Sequence, residues 1–335
     1  MLEGDSPRWL HWQTGLVLQL PNSLTQIDIS YLRARKMNTV LLFGEVLADI
    51  FPERSVLGGA PFNVARHLRA FGQNPVLVMR LGHDALRDEV LDVMSRNNME
   101  TLGIQYSNTY PTGRVQVHIK DGEHRFEILP FQAYDFIHHA VARMTTLSVN
   151  PVLVYFGTLA QRHDISRRAL RTLLRSTGAA KFLDINLRTP WYNEMTIRHS
   201  LEYADTVKLN AEELMVLAEM FELVESKPEL QIKVLMNRFD LRRVVVTCGP
   251  EGAWQIDRDG KKVGVGVKNK VRMLVDTVGA GDGFASVCIL GALLHWPVAI
   301  TLERANTFAA AICEIRGAIP DHSDFYDSYT QKWAV

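Results

Sequence analysis

Apolar residues along this chain come in short blocks, separated by longer stretches in which they recur every three or four positions. Residues 39–43, 75–81, 152–156, 181–185, 205–209 and 243–247 form the blocks. Blocks of this length and content predict strands, many of them covered on both faces. The longer stretches predict helices. Residues 84–97 carry Leu86, Val90, Leu91 and Met94 on one face and Arg87, Asp88 and Glu89 on a solvated one. Further helices are predicted over 165–177, 193–203, from Ala211 onward, 228–239, 284–295 and 298–315, the last two joined through Pro297. Strands alternating with helices imply a largely parallel sheet with helices on both faces.

Two segments break the rhythm. Residues 112–128 alternate strictly around Asp121-Gly122, a strong two-residue hairpin turn. Pairing across it sets Ile119 opposite His124, Val117 opposite Phe126 and Val115 opposite Ile128. One face is then apolar (Val115, Val117, Ile119, Phe126, Ile128), and the other carries Arg114, Gln116, His118, Lys120, Glu123, Arg125 and Glu127. Such a one-sided ribbon reads as a lid or an oligomer contact. A homodimer through the lid is one expectation, testable by a size measurement in solution. His118 and His124 fall on opposite faces and do not make a metal pair. A second hairpin joins 253–257 to 263–267 around Asp259-Gly260.

In open parallel sheets, ligands bind at the carboxyl ends of strands. Polar clusters gather there: Asp49, Asn186 with Arg188, Asn210 with Glu213, and the stretch 247–252. Gly58-Gly59-Ala60-Pro61-Phe62-Asn63 opens a helix, with Pro61 in its first turn and Gly72 at its end. Asn63 either serves that helix start or points its amide at a ligand. The apolar run 271–275 predicts a strand that feeds the turn Asp276-Thr277-Val278-Gly279-Ala280-Gly281-Asp282-Gly283. A glycine turn at a helix start offers backbone N–H groups to an anion and lets it approach closely. Asp282 has two readings: a cap for a helix beginning near Gly283, worth about 1 kcal/mol, or a general base for phosphoryl transfer. The convergence of separate strand ends favours the base.

Composition narrows the field. The chain has 335 residues, 37 basic and 37 acidic, so nothing marks a nucleic-acid or membrane surface. Cys248, Cys288 and Cys313 lack zinc spacing and fit buried thiols in a reducing cytosol, so a cytoplasmic protein is expected. No apolar run is long enough to span a membrane. There is no Gly-x-x-x-x-Gly-Lys-Ser/Thr, and the spacing at Gly279, Gly281 and Gly283 is not that of a dinucleotide fold. Residues 1–36, which end in Arg33-Ala34-Arg35-Lys36, lack a signal-peptide pattern. They read as a weakly ordered extension, or as a stretch upstream of a start at Met37. Residues 326–335 read as a C-terminal tail.

Gly58-Gly59-Ala60-Pro61-Phe62-Asn63-Val64-Ala65, with Gly72 and Gly82 downstream, resembles the N-terminal signature of the ribokinase-like (PfkB) carbohydrate kinases. Residues 276–282 resemble their C-terminal signature, and Asn210-Ala-Glu-Glu213 their Asn-x-x-Glu motif. The resemblance runs from about Met37 to Phe325. It implies a three-layer α/β fold: a mostly parallel central sheet, helices on both faces, and a small β-sheet lid from about 47–57 and 112–128. It implies a kinase domain over 37–325 that uses ATP and Mg²⁺. Asp282 would be the base, and Gly279, Ala280 and Gly281 would hold the phosphoryl group. Asp49, Gly58, Gly59 and Asn63 would bind sugar hydroxyls. Asn210 and Glu213 would order the Mg²⁺ shell, Glu213 through water. Thr247, Gly249, Glu251 and Gly252 would lie along the nucleotide, with Asn306 near its base. A monovalent cation such as K⁺ would sit near Asp276. Gly-Gly-Ala-Pro-x-Asn and Asp184-x-Asn-x-Arg188 are most similar to the fructokinase branch, which ranks fructose first. A sugar acid such as 2-keto-3-deoxygluconate, with Arg188 or Arg114 meeting its carboxylate, ranks second, and a nucleoside third. Gly283 stands where relatives commonly have alanine, Val287 where a small residue is usual, and Arg114 where the lid is often apolar. A catalytically silent sugar-binding relative and a purely structural protein are the readings from other classes.

Overall fold

The computed structural model describes residues 37–120, 123–267, 271 and 273–335. The expected extension, 1–36, and the hairpin tip Asp121-Gly122 lie outside these residues. The first strands are β1 (Thr39–Phe43), β2 (Leu47–Ile50) and β3 (Ser55–Gly58), followed by α1 (Ala60–Ala70). Next come β4 (Asn74–Gly82), α2 (Ala85–Arg96), β5 (Ile104–Ser107), β6 (Gly113–Lys120), β7 (Glu123–Ile128) and α3 (His139–Val149). The middle of the chain gives β8 (Leu153–Phe156), α4 (Asp164–Arg175), β9 (Ala180–Asp184), α5 (Glu194–Tyr203), β10 (Thr206–Asn210), α6 (Ala211–Met220) and α7 (Pro228–Phe239). The last part holds β11 (Arg243–Thr247), β12 (Ala253–Asp257), β13 (Lys262–Val265), α8 (Ala280–Leu293), α9 (Val298–Ile312) and α10 (Asp324–Trp333).

The larger sheet has the order β13-β12-β11-β10-β9-β8-β1-β4-β5. Pairing is parallel from β11 across to β5, and antiparallel on both sides of β12. The carboxyl ends of β1, β8, β9, β10 and β11 therefore share one edge. The strand period of two sorts side chains into two layers. Leu41, Phe43, Val154, Leu183, Val207 and Leu209 join the layer filled by α4 to α7. Val40, Leu42, Leu153, Tyr155 and Phe182 join the layer filled by α1, α2, α8 and α9.

The smaller sheet, in the order β3-β2-β6-β7, draws on the two segments expected to form a lid. Its hairpin register pairs Val115 with Ile128 and Val117 with Phe126, as alternation implies. Two expectations change. The run 271–275 is no strand in its described residues: Met273 and Leu274 are 68% and 66% exposed, and Val275 bonds through its N–H to Cys313 O at 2.9 Å. A short apolar run alone does not specify a strand. The tail residues fall mostly within α10, whose Tyr326 and Trp333 are buried. No helix among the described residues is long and apolar enough to cross a membrane.

Candidate active site

The chain leaves β1 through Gly44 and Glu45 and meets the start of α1 at once. Gly59 caps α1 at φ 104°, and a Cβ there would stand 2.8 Å from Glu45 O. Only glycine lets these two segments touch. Pro61 occupies the first turn, where its missing N–H costs nothing. One turn further, Asn63 is 3% exposed and donates from Nδ2 to Asp282 Oδ2 at 2.8 Å. These residues are 219 positions apart in sequence. Asn63 Oδ1 is buried without a partner. Asn63 is thus neither a cap nor a solvated surface amide.

The helix that carries Asp282 begins earlier than expected. Gly279 is its N-cap at φ 80°, and no side chain caps it. Asp282 is the third helical residue and bonds to Asn63, so the capping reading is wrong. The N–H groups of a first turn have no intrahelical acceptor. Here they belong to a turn with small side chains, Gly279-Ala280-Gly281, beside a carboxylate.

A cavity of about 520 Å³ joins these parts. Its walls include Asp49, Gly58, Gly59, Asn63, Arg188, Gly279, Gly281 and Asp282, all expected site residues. The lid contributes Val115, Phe126 and Ile128 from its apolar face. Arg114 does not line it; its Nη2 lies 3.5 Å from Asp84 Oδ2, the carboxylate that caps α2. The Arg114 reading for a substrate carboxylate is therefore set aside in favour of Arg188.

The remaining expected residues lie along neighbouring strand ends. Asn210 Oδ1 accepts from Glu213 N–H at 2.7 Å, and Glu213 accepts from the N–H groups of Asn210 and Leu187, both at 2.8 Å. That capping box ties the end of β10 to the loop bearing Arg188. Thr247 ends β11 opposite Asn210, and Gly249, Glu251 and Gly252 form the next turn. Asn306 on α9 donates to Val265 O at 3.2 Å, fixing the end of β13. Asp276 accepts from Val278 N–H at 3.0 Å and Gly317 N–H at 3.1 Å.

Sequence reasoning missed Glu45 and Lys208. Glu45 lines the cavity, is 5% exposed, and is pushed up to about 7, first by burial, with the charge of Asp282 adding to it. Asp49 is raised to about 6, again by burial first, with the Arg188 charge opposing. Burial also raises Asp282; the Asn63 hydrogen bond, Lys208 and Arg188 pull the other way. A carboxylate following Gly44 at a strand end, and a lysine inside the block 205–209, were the signals available.

A family model described as pfkB family carbohydrate kinase matches residues 33–324. The chain belongs to the pfkB family of carbohydrate kinases. It is similar to the "Probable fructokinase-7" of Arabidopsis thaliana, 26% identical over 310 residues that cover 84% of this chain and 88% of that one. A 5-dehydro-2-deoxygluconokinase of Clostridium botulinum is 24% identical over 297 residues, 83% of each chain. Among solved structures, a fructokinase of Xylella fastidiosa with bound ATP superposes with a TM-score of 0.74 at 23% identity, covering 89% of this chain and 99% of that one. The architecture is ribokinase-like, and the pfkB chain described here is a sugar phosphotransferase.

Proposed function

We propose that this pfkB kinase transfers the γ-phosphoryl group of ATP to a hydroxyl of fructose. The observation that carries the reading is the Asn63–Asp282 hydrogen bond at the small-residue start of α8, inside the cavity. The side chains of Asp49 and Asn63 and the backbone at Gly58 and Gly59 offer partners for sugar hydroxyls. Asp282 takes the proton of the attacking hydroxyl. The new bond joins that oxygen to the γ-phosphorus, the bond from the γ-phosphorus to the β–γ bridging oxygen breaks, and ADP leaves. The small residues Gly279, Ala280 and Gly281 let the transferring group approach, and the free N–H groups of the first turn stabilise its charge, so catalysis is mostly positioning and anion stabilisation. Thr247, Gly249, Glu251, Gly252 and Asn306 line the path for the nucleotide. The apolar lid face covers the cavity and excludes water, which limits wasteful ATP hydrolysis.

The donor set suits a Mg²⁺ that arrives with the nucleotide. Among the described residues no three His, Cys, Asp or Glu side chains form a cage. Both oxygens of Glu213 already accept backbone N–H groups, so it fits contact through water. Bound there, the ion would neutralise phosphate charge. A monovalent cation beside Asp276 would rely on backbone carbonyls, since both oxygens of that carboxylate hold the turn to Gly317.

A second reading, a sugar acid, is favoured by one observation: the Arg188 guanidinium lines the cavity. Its charge already faces Glu45, Asp49 and Asp282, which is why fructose stays first. The test is a panel of fructose, 2-keto-3-deoxygluconate, 5-dehydro-2-deoxygluconate and nucleosides assayed with ATP. Asp282→Asn is expected to lower kcat on the best substrate by about 10²–10⁴-fold with little change in its affinity. Near-normal turnover in that variant removes Asp282 as the base. If no acceptor in the panel elicits ADP release, the silent sugar-binding reading gains.

A further inference from the structure

The side of the sheet facing α8 carries Val40, Leu42, Leu153, Phe182 and Val245, and two charged side chains lie among them. Leu183, Val207 and Leu209 face the opposite layer, so Asp184 on β9 and Lys208 on β10 face α8. They are direct register partners on adjacent parallel strands. Asp184 is fully buried, and Lys208 is 7% exposed. Lys208 Nζ lies 2.9 and 3.0 Å from the two Asp184 oxygens, and Tyr155 OH donates to Oδ2 at 3.3 Å. Apolar side chains of similar volume at these positions would serve stability as well or better. The reason for the pair must lie in what its cation meets next. A Cβ added at Gly281 would stand 3.5 Å from Lys208 Nζ. The ammonium therefore ends beneath the turn expected to hold the phosphoryl group, one residue before Asp282. It has three N–H donors, and Asp184 engages two.

We propose that Lys208, aimed by Asp184, is a positioning residue for Asp282: its charge keeps the base ionised while Asp184 keeps the cation in place. The inference rests on the reading of Asp282 as the base. The groups facing Asp282 come from every neighbouring element: Asn63 of α1, Glu45 after β1, Tyr155 of β8, Asp184 of β9, Arg188 of the following loop and Lys208 of β10. Burial and the charge of Asp184 favour the protonated acid, while Asn63, Lys208 and Arg188 favour the carboxylate. Lys208 keeps its own proton, because the charges of Asp184, Glu213 and Asp282 outweigh its burial. The pair thus acts on Asp282 with two opposite signs.

The test is a titration of Asp282 in the free protein, followed by ¹³C-carboxyl NMR with labelled aspartate, the signal being assigned by its loss in Asp282→Asn. Lys208→Met is expected to raise the midpoint by about one pH unit or more, and Asp184→Asn to lower it. If Lys208→Met does not fold, the double variant Asp184→Asn/Lys208→Met is compared with Asp184→Asn and is expected to have the higher midpoint. The acidic limb of kcat/KM should move in the same directions. An unchanged or lowered midpoint in Lys208→Met overturns the proposal. Opposite shifts in a protein that phosphorylates no sugar uphold the electrostatic coupling and overturn the sugar-kinase reading instead.

Discussion

Glu45 shows what a single buried side chain does to this molecule. Its Oε2 is buried without a partner, and burial raises its carboxyl from the ordinary 4.5 to about 7. The folded state therefore binds a proton that the unfolded chain releases between these two values. Stability falls as pH rises from 4.5 through about 7, and the full cost is present above that. Two to three pH units correspond to about 3 kcal/mol. Glu45→Gln keeps the shape and removes the charge. Thermal unfolding is expected to show the variant more stable than the parent at pH 8, by up to about 3 kcal/mol, and nearly equal at pH 4. Equal gains at both values would mean that packing, not ionisation, explains the difference. The same residue explains why the site was only partly legible. Asp49, Asn63 and Asp282 sit in recognisable motifs, whereas the roles of Glu45 and Lys208 come from burial, which no single-sequence pattern reports.

Elements were legible where one face is apolar and the other polar. The hairpin of β6 and β7 came out in its true register because Asp121-Gly122 and strict alternation agree. Helix α3 was missed because its polarity is inverted. It buries Ala142, Thr145 and Thr146 and leaves Val141, Met144 and Leu147 37%, 67% and 54% exposed. The start of α8 was misplaced by one turn because Gly279-Ala280-Gly281 reads as loop, while a glycine at φ 80° in fact opens the helix. The departure at Gly283 is spatial: a Cβ there would meet Phe308 and Ile312 at 3.2 Å. The lid has its own anchor, also invisible in sequence. Arg162 is buried, pairs with Asp135 through Nε and Nη2 at 2.7 Å, and donates to Leu129 O, just past β7, at 2.7 Å. Its guanidinium stacks on Trp191, 4.4 Å from the ring centre, in the loop that follows Arg188. Arg162→Met would free the lid root and orphan the Asp135 charge. Loss of about 3–5 kcal/mol is expected, as for other broken buried pairs. If the lid excludes water, the ratio of ATP hydrolysis to sugar phosphorylation should also rise. A destabilised variant with an unchanged ratio would confine Arg162 to a structural role.

At the scale of the whole molecule, α1 and α8, which carry Asn63 and Asp282, pack with the last helix through an aromatic layer. α10 lays Tyr326, Tyr329 and Trp333 against Phe71 at the end of α1 and Phe308 of α9. Phe308 in turn reaches Gly283 of α8, one residue past Asp282. His67 of α1 is fully buried, and its Nδ1 lies 2.9 Å from Tyr326 OH. Burial lowers that histidine to about 3, so it is neutral at ordinary pH and the link does not switch near pH 7. The tail of the sequence is thus a brace for the layer that carries Asn63 and Asp282. Trp333 is 6% exposed, touches Trp296 and Tyr329, and lies beneath Arg304, whose guanidinium is 5.5 Å from its ring centre. Truncating a buried tryptophan to alanine typically costs about 3–5 kcal/mol. Trp333→Ala should therefore unfold at a temperature lower by several degrees, while the protein that stays folded keeps most of its kcat, because no group in the cavity changes. Melting curves and turnover measured well below the transition separate the two effects. An unchanged melting temperature would show that α10 braces nothing, and a collapse of kcat in folded protein would show that the aromatic layer sets the geometry of Asp282 itself.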